Sequence, residues 1–227
     1  KALAGLPADR RRAFRYGVIE ALLDAGKSAA ARDQLDRIPA DERKDNLSYA
    51  LYNATCLRLM GNLNGALEAV SPAVPLAEAS KADSPAIAAR VLCEKGRIEL
   101  SLGKLDEAQA SAKAALALYE KCYPAYLCLA QVAKNENAAA IEAGKRALEL
   151  NPYYAPGYLA QGEGQLRSGN AKEAVENFKK AAELYPGWIE VHKALLAGYQ
   201  KLSLTQEAQK EAAQIAQLEN LARTNRQ

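Results

Sequence analysis

The sequence predicts an all-α protein built from repeated pairs of antiparallel helices. Of its 227 residues, 49% are hydrophobic and only 6% are aromatic. Runs of β-branched and aromatic residues, which favour strands, are nearly absent. Residues 155–188 contain two apolar-periodic segments joined by a short polar turn with Gly169 and Asn170. Such a helix pair cannot bury its apolar face alone, so it predicts neighbouring copies along the chain.

Residues 155–188 also contain the small and large side chains that define the repeat. Their fixed spacing recurs at a period of about 34 residues. The anchors are Tyr158, Gly162, Gly169, Ala174, Phe178, Ala181 and Pro186. This pattern closely resembles the tetratricopeptide repeat. The resemblance implies a right-handed α-α superhelix, which is a solenoid of antiparallel helix pairs.

Shifting the anchors along the chain predicts a single repeat array over residues 1–227. The repeats lie near residues 12–46, 47–88, 89–122, 123–154, 155–188 and 189–222. The inter-helix turn of the fourth repeat, at residues 134–137, is shorter than the others and lacks glycine. Residues 205–225 are polar apart from a helical apolar stripe, so they predict the terminal helix that caps the array.

The second repeat is irregular at its end. The spacing to the third repeat exceeds the period, and the excess contains Pro72 and Pro75. Proline inside a helix removes a hydrogen bond and clashes with the preceding turn, so we expect a kink or break near residues 71–75. Ser84 and Pro85 are typical of an N-cap and a first helical position. They predict a long opening helix over about residues 85–102.

Side-chain size explains the anchors within residues 155–188. We expect the small residues Gly162, Ala174 and Ala181 to let two helices approach closely. The larger side chains of Tyr158, Leu166 and Phe178 would then fill the remaining space.

Charge and hydropathy argue against nucleic-acid and membrane-spanning classes. The formal charge of +3 is small and is spread along the chain, apart from the cluster Arg10, Arg11 and Arg12. A nucleic-acid-binding protein usually has a stronger basic stripe with interleaved aromatic residues. No stretch approaches the roughly 18 consecutive apolar residues that a membrane-spanning helix needs. We expect neither nucleic-acid binding nor a membrane span in this chain.

The residues that catalysis or metal binding would need are scarce. The only histidine, His192, falls at a packing position of a first helix, so we expect a partly buried core residue. The cysteines lack CxxC spacing and suit helix packing, while a redox pair of Cys122 and Cys128 remains an alternative. No carboxylate pair is singled out by spacing. The sequence therefore predicts no catalytic, cofactor-binding or metal-binding residues, and a protein that is not an enzyme.

The resemblance implies that the first helix of every repeat lines a concave groove used for binding. A mixture of aromatic, apolar and charged side chains there suits a peptide or a helix of another protein. Alternatively, several of these residues only pack against the neighbouring first helix. The predicted groove residues are Tyr52, Arg90, Cys93, Glu94, Arg97, Leu127, Cys128, Gln131, Leu159, Glu163, Arg167 and Lys193, with Tyr16, Glu20, Leu51, Thr55 and Lys201 as further candidates.

Some members of the family bind chaperone C-terminal tails through a clamp of Lys, Asn and Arg on three consecutive first helices. The corresponding places of the central repeats hold Cys93 and Arg97, then Cys128, then Pro156 and Ala160. Binding of chaperone tails is therefore not expected. Three arginines could still meet carboxylates of another ligand, namely Arg90, Arg97 and Arg167.

These observations favour a non-enzymatic adaptor or scaffold that binds another protein in the groove. Residue 1 is Lys rather than Met, which suggests a processed or trimmed chain. A second interpretation is therefore the repeat region of a larger enzyme, regulator or cell-envelope secretion or assembly factor. A third is a homo-oligomerisation module in which Tyr153 and Tyr154 are buried between copies.

Overall fold

The computed structural model describes residues 7–24, 26–79, 84–133 and 136–224, and all regular secondary structure in these ranges is helical. The chain divides into two compact units, Lys1–Cys122 and Tyr123–Gln227. We call them the N-terminal unit and the C-terminal unit. Both contain antiparallel helix pairs, so the predicted all-α fold of solenoid type is confirmed.

In the N-terminal unit, each opening helix packs on the pair before it. Helix α4 contacts α1 and α2, and α7 contacts α4, α5 and α6. The helices are α1 (Ala8–Asp24), α2 (Ser28–Asp36), α3 (Ala40–Arg43), α4 (Leu47–Leu59), α5 (Leu63–Val70), α6 (Ala73–Ala79), α7 (Pro85–Ser101) and α8 (Leu105–Leu118).

The proline-marked irregularity in this unit is confirmed. Helix α5 ends at Val70 and a separate helix, α6, begins at Ala73. Ser84 is the N-cap of α7, and its backbone carbonyl accepts a hydrogen bond from the Ala88 amide at 3.1 Å. Its side chain makes no capping hydrogen bond, so Pro85 and the backbone alone set the start of this long helix.

The C-terminal unit repeats the same arrangement, with α11 packed on α9 and α10, and α13 packed on α11 and α12. The last helix is the one that was predicted to cap the array. Residues 134 and 135 of the predicted short turn lie outside the described residues. The helices are α9 (Tyr123–Val132), α10 (Asn137–Leu150), α11 (Ala155–Arg167), α12 (Ala171–Leu184), α13 (Ile189–Lys201) and α14 (Thr205–Thr224).

A left-handed residue closes the first helix of several pairs. Gly169 has φ 87°, and the Asn170 amide then bonds to the Gln165 carbonyl at 2.9 Å. Ser203 takes the same role with φ 59°, although it carries a side chain that rarely adopts this conformation. The residues in this conformation at such turns, Gly26, Gly61, Gly103, Gly169 and Ser203, give a common register for comparing helices.

Close helix contact in the C-terminal unit depends on Gly162. A Cβ atom there would lie 2.5 Å from Cε1 of Phe178 and 3.1 Å from the Ala174 carbonyl oxygen. Phe178, Ala174 and Ala181 are all fully buried in one core cluster, and Tyr158 and Leu166 pack against it. The predicted roles of small and large anchors are therefore confirmed.

Across the described ranges, no helix is both long enough and apolar enough to span a membrane.

Candidate binding surface

The opening helices of each unit are neighbours and form a layer. In the N-terminal unit α4 contacts α1 and α7, and in the C-terminal unit α11 contacts α9 and α13. We call the surface of each layer the first-helix face of that unit. The predicted residues all lie on these helices: Tyr52 on α4; Arg90, Cys93, Glu94 and Arg97 on α7; Leu127, Cys128 and Gln131 on α9; Leu159, Glu163 and Arg167 on α11; and Lys193 on α13.

Five of these twelve residues present almost no side chain to solvent. Their exposed fractions are 5% or less, so their observed role is packing within the chain, which is the alternative that the sequence left open. These residues are Tyr52, Cys93, Glu94, Leu127 and Cys128.

Glu94 organises a charge cluster in the N-terminal unit. Arg58 donates from Nε to Oε1 of Glu94 at 2.6 Å, and Arg97 lies 3.3 Å away at Oε2. The Glu94 side chain is only 3% exposed and that of Arg58 only 12%. A buried carboxylate needs such partners because an unpaired charge loses its hydration without compensation. Arg58 was not predicted from the sequence because it lies on α4, far along the chain from Glu94 on α7.

A second charged group in this unit surrounds Tyr52. Arg90 donates from Nη2 to Oε1 of Glu20 at 2.7 Å, and its guanidinium lies 5.5 Å from the centre of the Tyr52 ring. The ring of Tyr16 stacks on that of Tyr52, with ring centres 5.6 Å apart. Burial raises the pKa of Tyr52, and Arg90 opposes that rise. Arg90 and Arg97, which were predicted to bind ligand carboxylates, are thus already paired with carboxylates of this unit.

The first-helix face of the C-terminal unit has a different character. Leu159, Glu163 and Arg167 follow one another at intervals of four residues, so they form one stripe along α11. Leu159 is half-buried, whereas Glu163 and Arg167 are exposed. Partial burial raises the pKa of Glu163, and Arg167 opposes this rise. Arg167 donates from Nε to the Asn137 side chain at 3.0 Å, which is an exposed contact.

Two further predicted residues flank this stripe and are exposed. Gln131 lies on α9, and Lys193 lies on α13. The ammonium of Lys193 is 3.6 Å from a carboxylate oxygen of Glu219, and both side chains are largely in solvent. Exposed pairs of this kind contribute little stability, so a ligand could replace them at small cost.

His192 has the structural role that the sequence predicts. It is 8% exposed, and its Nδ1 lies 2.7 Å from Oε2 of Glu211. Its Nε2 donates to the Pro186 carbonyl at 2.8 Å, because a carbonyl can only accept. The ring therefore connects α13 to α14 and to the preceding turn. With both nitrogens engaged, it serves packing rather than chemistry.

A polar cluster between α7 and α8 was not foreseen from the sequence. Ser111 donates from Oγ to Oε2 of Glu99 at 2.7 Å, and Lys95 contacts both side chains. Glu99 and Ser111 are 4% and 6% exposed. Since the hydroxyl is buried and its proton is directed to Glu99, the cluster joins two helices rather than presenting a nucleophile.

The four cysteines are buried thiols. Burial raises the pKa of Cys56 to about 11, so its reactive thiolate form is disfavoured. Within the ranges that the structure describes, no three His, Cys, Asp or Glu side chains are grouped as metal ligands would be.

Comparison with known proteins agrees with this fold. A sequence model of the tetratricopeptide repeat matches residues 89–122, the third predicted repeat. The search of curated proteins found no match.

Solved structures with similar folds include MamA, which is 25% identical with a TM-score of 0.55, over 75% of this chain and 96% of that chain. TTC0263, a tetratricopeptide repeat protein of Thermus thermophilus, is 22% identical with a TM-score of 0.64, over 76% of this chain and 91% of that chain. The Cut9–Hcn1 hetero-tetramer contains a chain that is 17% identical with a TM-score of 0.74, over 90% of this chain and 39% of that chain. The last two similarities concern the fold alone. Residues 89–122 thus match the tetratricopeptide repeat, and the helix-pair packing of the chain is the fold seen in solved tetratricopeptide repeat proteins.

Proposed function

We propose that this chain is a protein-interaction scaffold that binds a segment of another protein on the first-helix face of its C-terminal unit. Proteins of the tetratricopeptide repeat family are typically non-enzymatic scaffolds. One protein of similar fold, Cut9, was solved as a hetero-tetramer with Hcn1. The proposal extends this mode of action to the present chain and assigns it to a particular surface.

The observation that carries the proposal is the stripe on α11. Leu159 offers an apolar contact, and Glu163 and Arg167 offer exposed charges of opposite sign. A peptide or helix laid along this stripe would meet an apolar side chain first, then an acidic one and then a cationic one. Arg167 on α11 and Lys193 on the neighbouring helix α13 are exposed cations that suit carboxylates of the bound segment. A basic residue of that segment beside Glu163 would offset the desolvation that raises the pKa of Glu163.

The N-terminal unit contributes less to binding in this proposal. A ligand carboxylate would have to compete with Glu94 for Arg97 and with Glu20 for Arg90. Glu94 is buried, so separating it from its partners costs more than displacing an exposed contact. The pairing of Arg97 with buried Glu94 therefore stabilises the fold, whereas the more exposed pair of Arg90 and Glu20 would be easier for a ligand to replace.

Affinity capture from an extract of the native host tests this proposal. The bait variants are Arg167→Glu combined with Lys193→Glu, which reverse two exposed charges of the face. The matched control is Lys145→Glu combined with Lys210→Glu, which makes the same charge change on α10 and α14. A protein captured by wild type and control but lost by the first variant is the expected result. Measured with that purified protein, the affinity should fall by about tenfold or more.

Equal capture by both double variants would rule out this face. Arg97 is left unchanged because a glutamate there would stand beside the buried carboxylate of Glu94 and disturb the fold.

A further inference from the structure

Helix α1 exposes an apolar stripe. Phe14 is 52% exposed, and Gly17 and Ala21 are also exposed. Their spacing of three and four residues places them on one side of the helix. Single exposed apolar residues are common on protein surfaces, but an aromatic residue in line with two small ones resembles a helix-packing face.

The equivalent residues of a later first helix are used for packing. Alignment on the left-handed residues Gly26 and Ser203 matches Phe14 with Val191, Gly17 with Ala194, and Ala21 with Gly198. In α13, Val191 is fully buried, and a Cβ on Gly198 would lie 2.6 Å from Cγ2 of Val175 on α12. This side of α13 therefore fits against the preceding pair, α11 and α12.

The α13–α14 pair has the complementary surface, and it is open. An apolar groove of about 480 Å³ lies along it, lined in part by Leu196, Leu204, Ala208 and Ala212. By the same register, Ala212 corresponds to Phe178 of the preceding pair. Phe178 is fully buried there and lies close to Gly162 and Gly198. The last pair thus has an alanine at the place where the preceding pair has an aromatic ring.

We propose that α1 of a second copy of this chain docks into the α13–α14 groove, with the Phe14 ring as the anchor. The contact would continue a packing mode that this chain already uses, because α7 lies on α4 and α5, and α13 lies on α11 and α12. Charge favours it as well. Helix α1 has four arginines and three acidic residues, whereas α14 has three glutamates and two basic residues.

The two surfaces differ, so the contact is heterologous. Each copy that joins leaves one α1 stripe and one α13–α14 groove unused, and assembly therefore continues beyond a dimer as concentration rises. This association does not depend on the proposed partner site, because it uses other residues than the stripe on α11.

Sedimentation velocity over a range of concentrations tests the proposal with Phe14→Glu and Ala212→Glu. Both side chains are exposed, so both variants should fold, with far-UV circular dichroism and an unfolding midpoint like those of wild type. Wild type should increase in mean mass with concentration. Each variant alone should remain monomeric under those conditions, with association weakened by about tenfold or more, as expected for loss of a central anchor.

Mixing the two variants provides the decisive measurement. The α1 stripe is intact in Ala212→Glu, and the groove is intact in Phe14→Glu. An equimolar mixture should therefore form a one-to-one dimer and nothing larger. A mixture that stays monomeric overturns the head-to-tail contact.

Tyr153→Glu is the matched control because Tyr153 is 79% exposed and lies outside both surfaces. It should associate as wild type does. Wild type that remains monomeric throughout would overturn the proposal. Loss of association in Tyr153→Glu with retention in Phe14→Glu would overturn it in favour of a tyrosine-mediated contact.

Discussion

The two units of this chain have related helix pairs but different first helices. In the N-terminal unit, charged side chains pair on the first helices. Glu94 on α7 binds Arg58 on α4 and Arg97 on its own helix, and Arg90 on α7 binds Glu20 on α1. The contact of Glu94 with Arg58 places charge inside the layer of helices, whereas Arg90 and Glu20 are 40% and 44% exposed. Three of the side chains that the resemblance assigned to binding are buried there, namely Tyr52, Cys93 and Glu94.

The C-terminal unit instead depends on glycine at its first helices. A Cβ atom at any of four positions would come within 2.9 Å of a neighbouring heavy atom. They are Gly157, Gly162, Gly164 and Gly198. The helices approach closely through these residues, and the charged side chains of α11, Glu163 and Arg167, are exposed. The two first-helix faces thus differ in composition, because the first has a buried charge cluster and the second has glycines at its helix contacts.

Among tests of the difference between the two units, Glu94→Ala should have the largest effect on stability. It leaves Arg58, which is 12% exposed, without its carboxylate, and we expect a loss of about 3 kcal/mol in the free energy of unfolding. Glu163→Ala in the C-terminal unit is the matched control and should cost far less, since Glu163 is exposed. Urea denaturation followed by circular dichroism gives both values. Equal losses would show that the two faces do not differ in this way.

A second test addresses the close approach in the C-terminal unit. Gly162→Ala forces a methyl group against the Phe178 ring, and overpacking of this kind costs about 2 kcal/mol. Gly187→Ala is the control, because a Cβ there meets nothing within 4 Å. The thermal unfolding midpoint should fall for the first variant and stay near wild type for the second. An unchanged midpoint for Gly162→Ala would contradict the tight packing at α11 and α12.

The smallest expected effect is a pH-dependent change in stability caused by Glu163. Its pKa is raised in the folded protein, so the folded state holds the proton more tightly than the unfolded state does. Its contribution to stability is therefore fully present below the unfolded pKa and is lost as pH rises through the folded pKa. Glu163→Gln should unfold at a slightly higher temperature than wild type at pH 7, and the gain should disappear in acid.

The control for this test is Glu173→Gln, an exposed change on α12. Solvent screening keeps the expected gain from Glu163→Gln small. If the gain from Glu163→Gln persisted unchanged in acid, removal of a carboxylate with a raised pKa would not explain it.

Local sequence signals predicted the elements of the fold well. Pro72 and Pro75 predicted the break between α5 and α6, and Ser84 with Pro85 predicted the start of α7. Such residues act on the backbone within a turn or two, so their effect can be read without knowing what packs nearby. His192 was likewise predicted as a core residue from its place in the repeat.

Accessibility at the candidate surface could not be predicted in the same way. Glu94 and Glu163 are both glutamates at predicted groove positions, yet one is buried and the other is exposed. Glu94 can be buried because Arg58 on another helix neutralises its charge. No local sequence pattern connects these two residues.

The sequence by itself therefore determined the helix pairs, their turns and the small residues that let them pack, because helical periodicity, proline, glycine and side-chain size act over short distances. Only the tertiary structure decided which first-helix residues face solvent. The exposure of a side chain depends on which other helices pack against it. Val191 is buried against the preceding helix pair, whereas its counterpart Phe14 is 52% exposed.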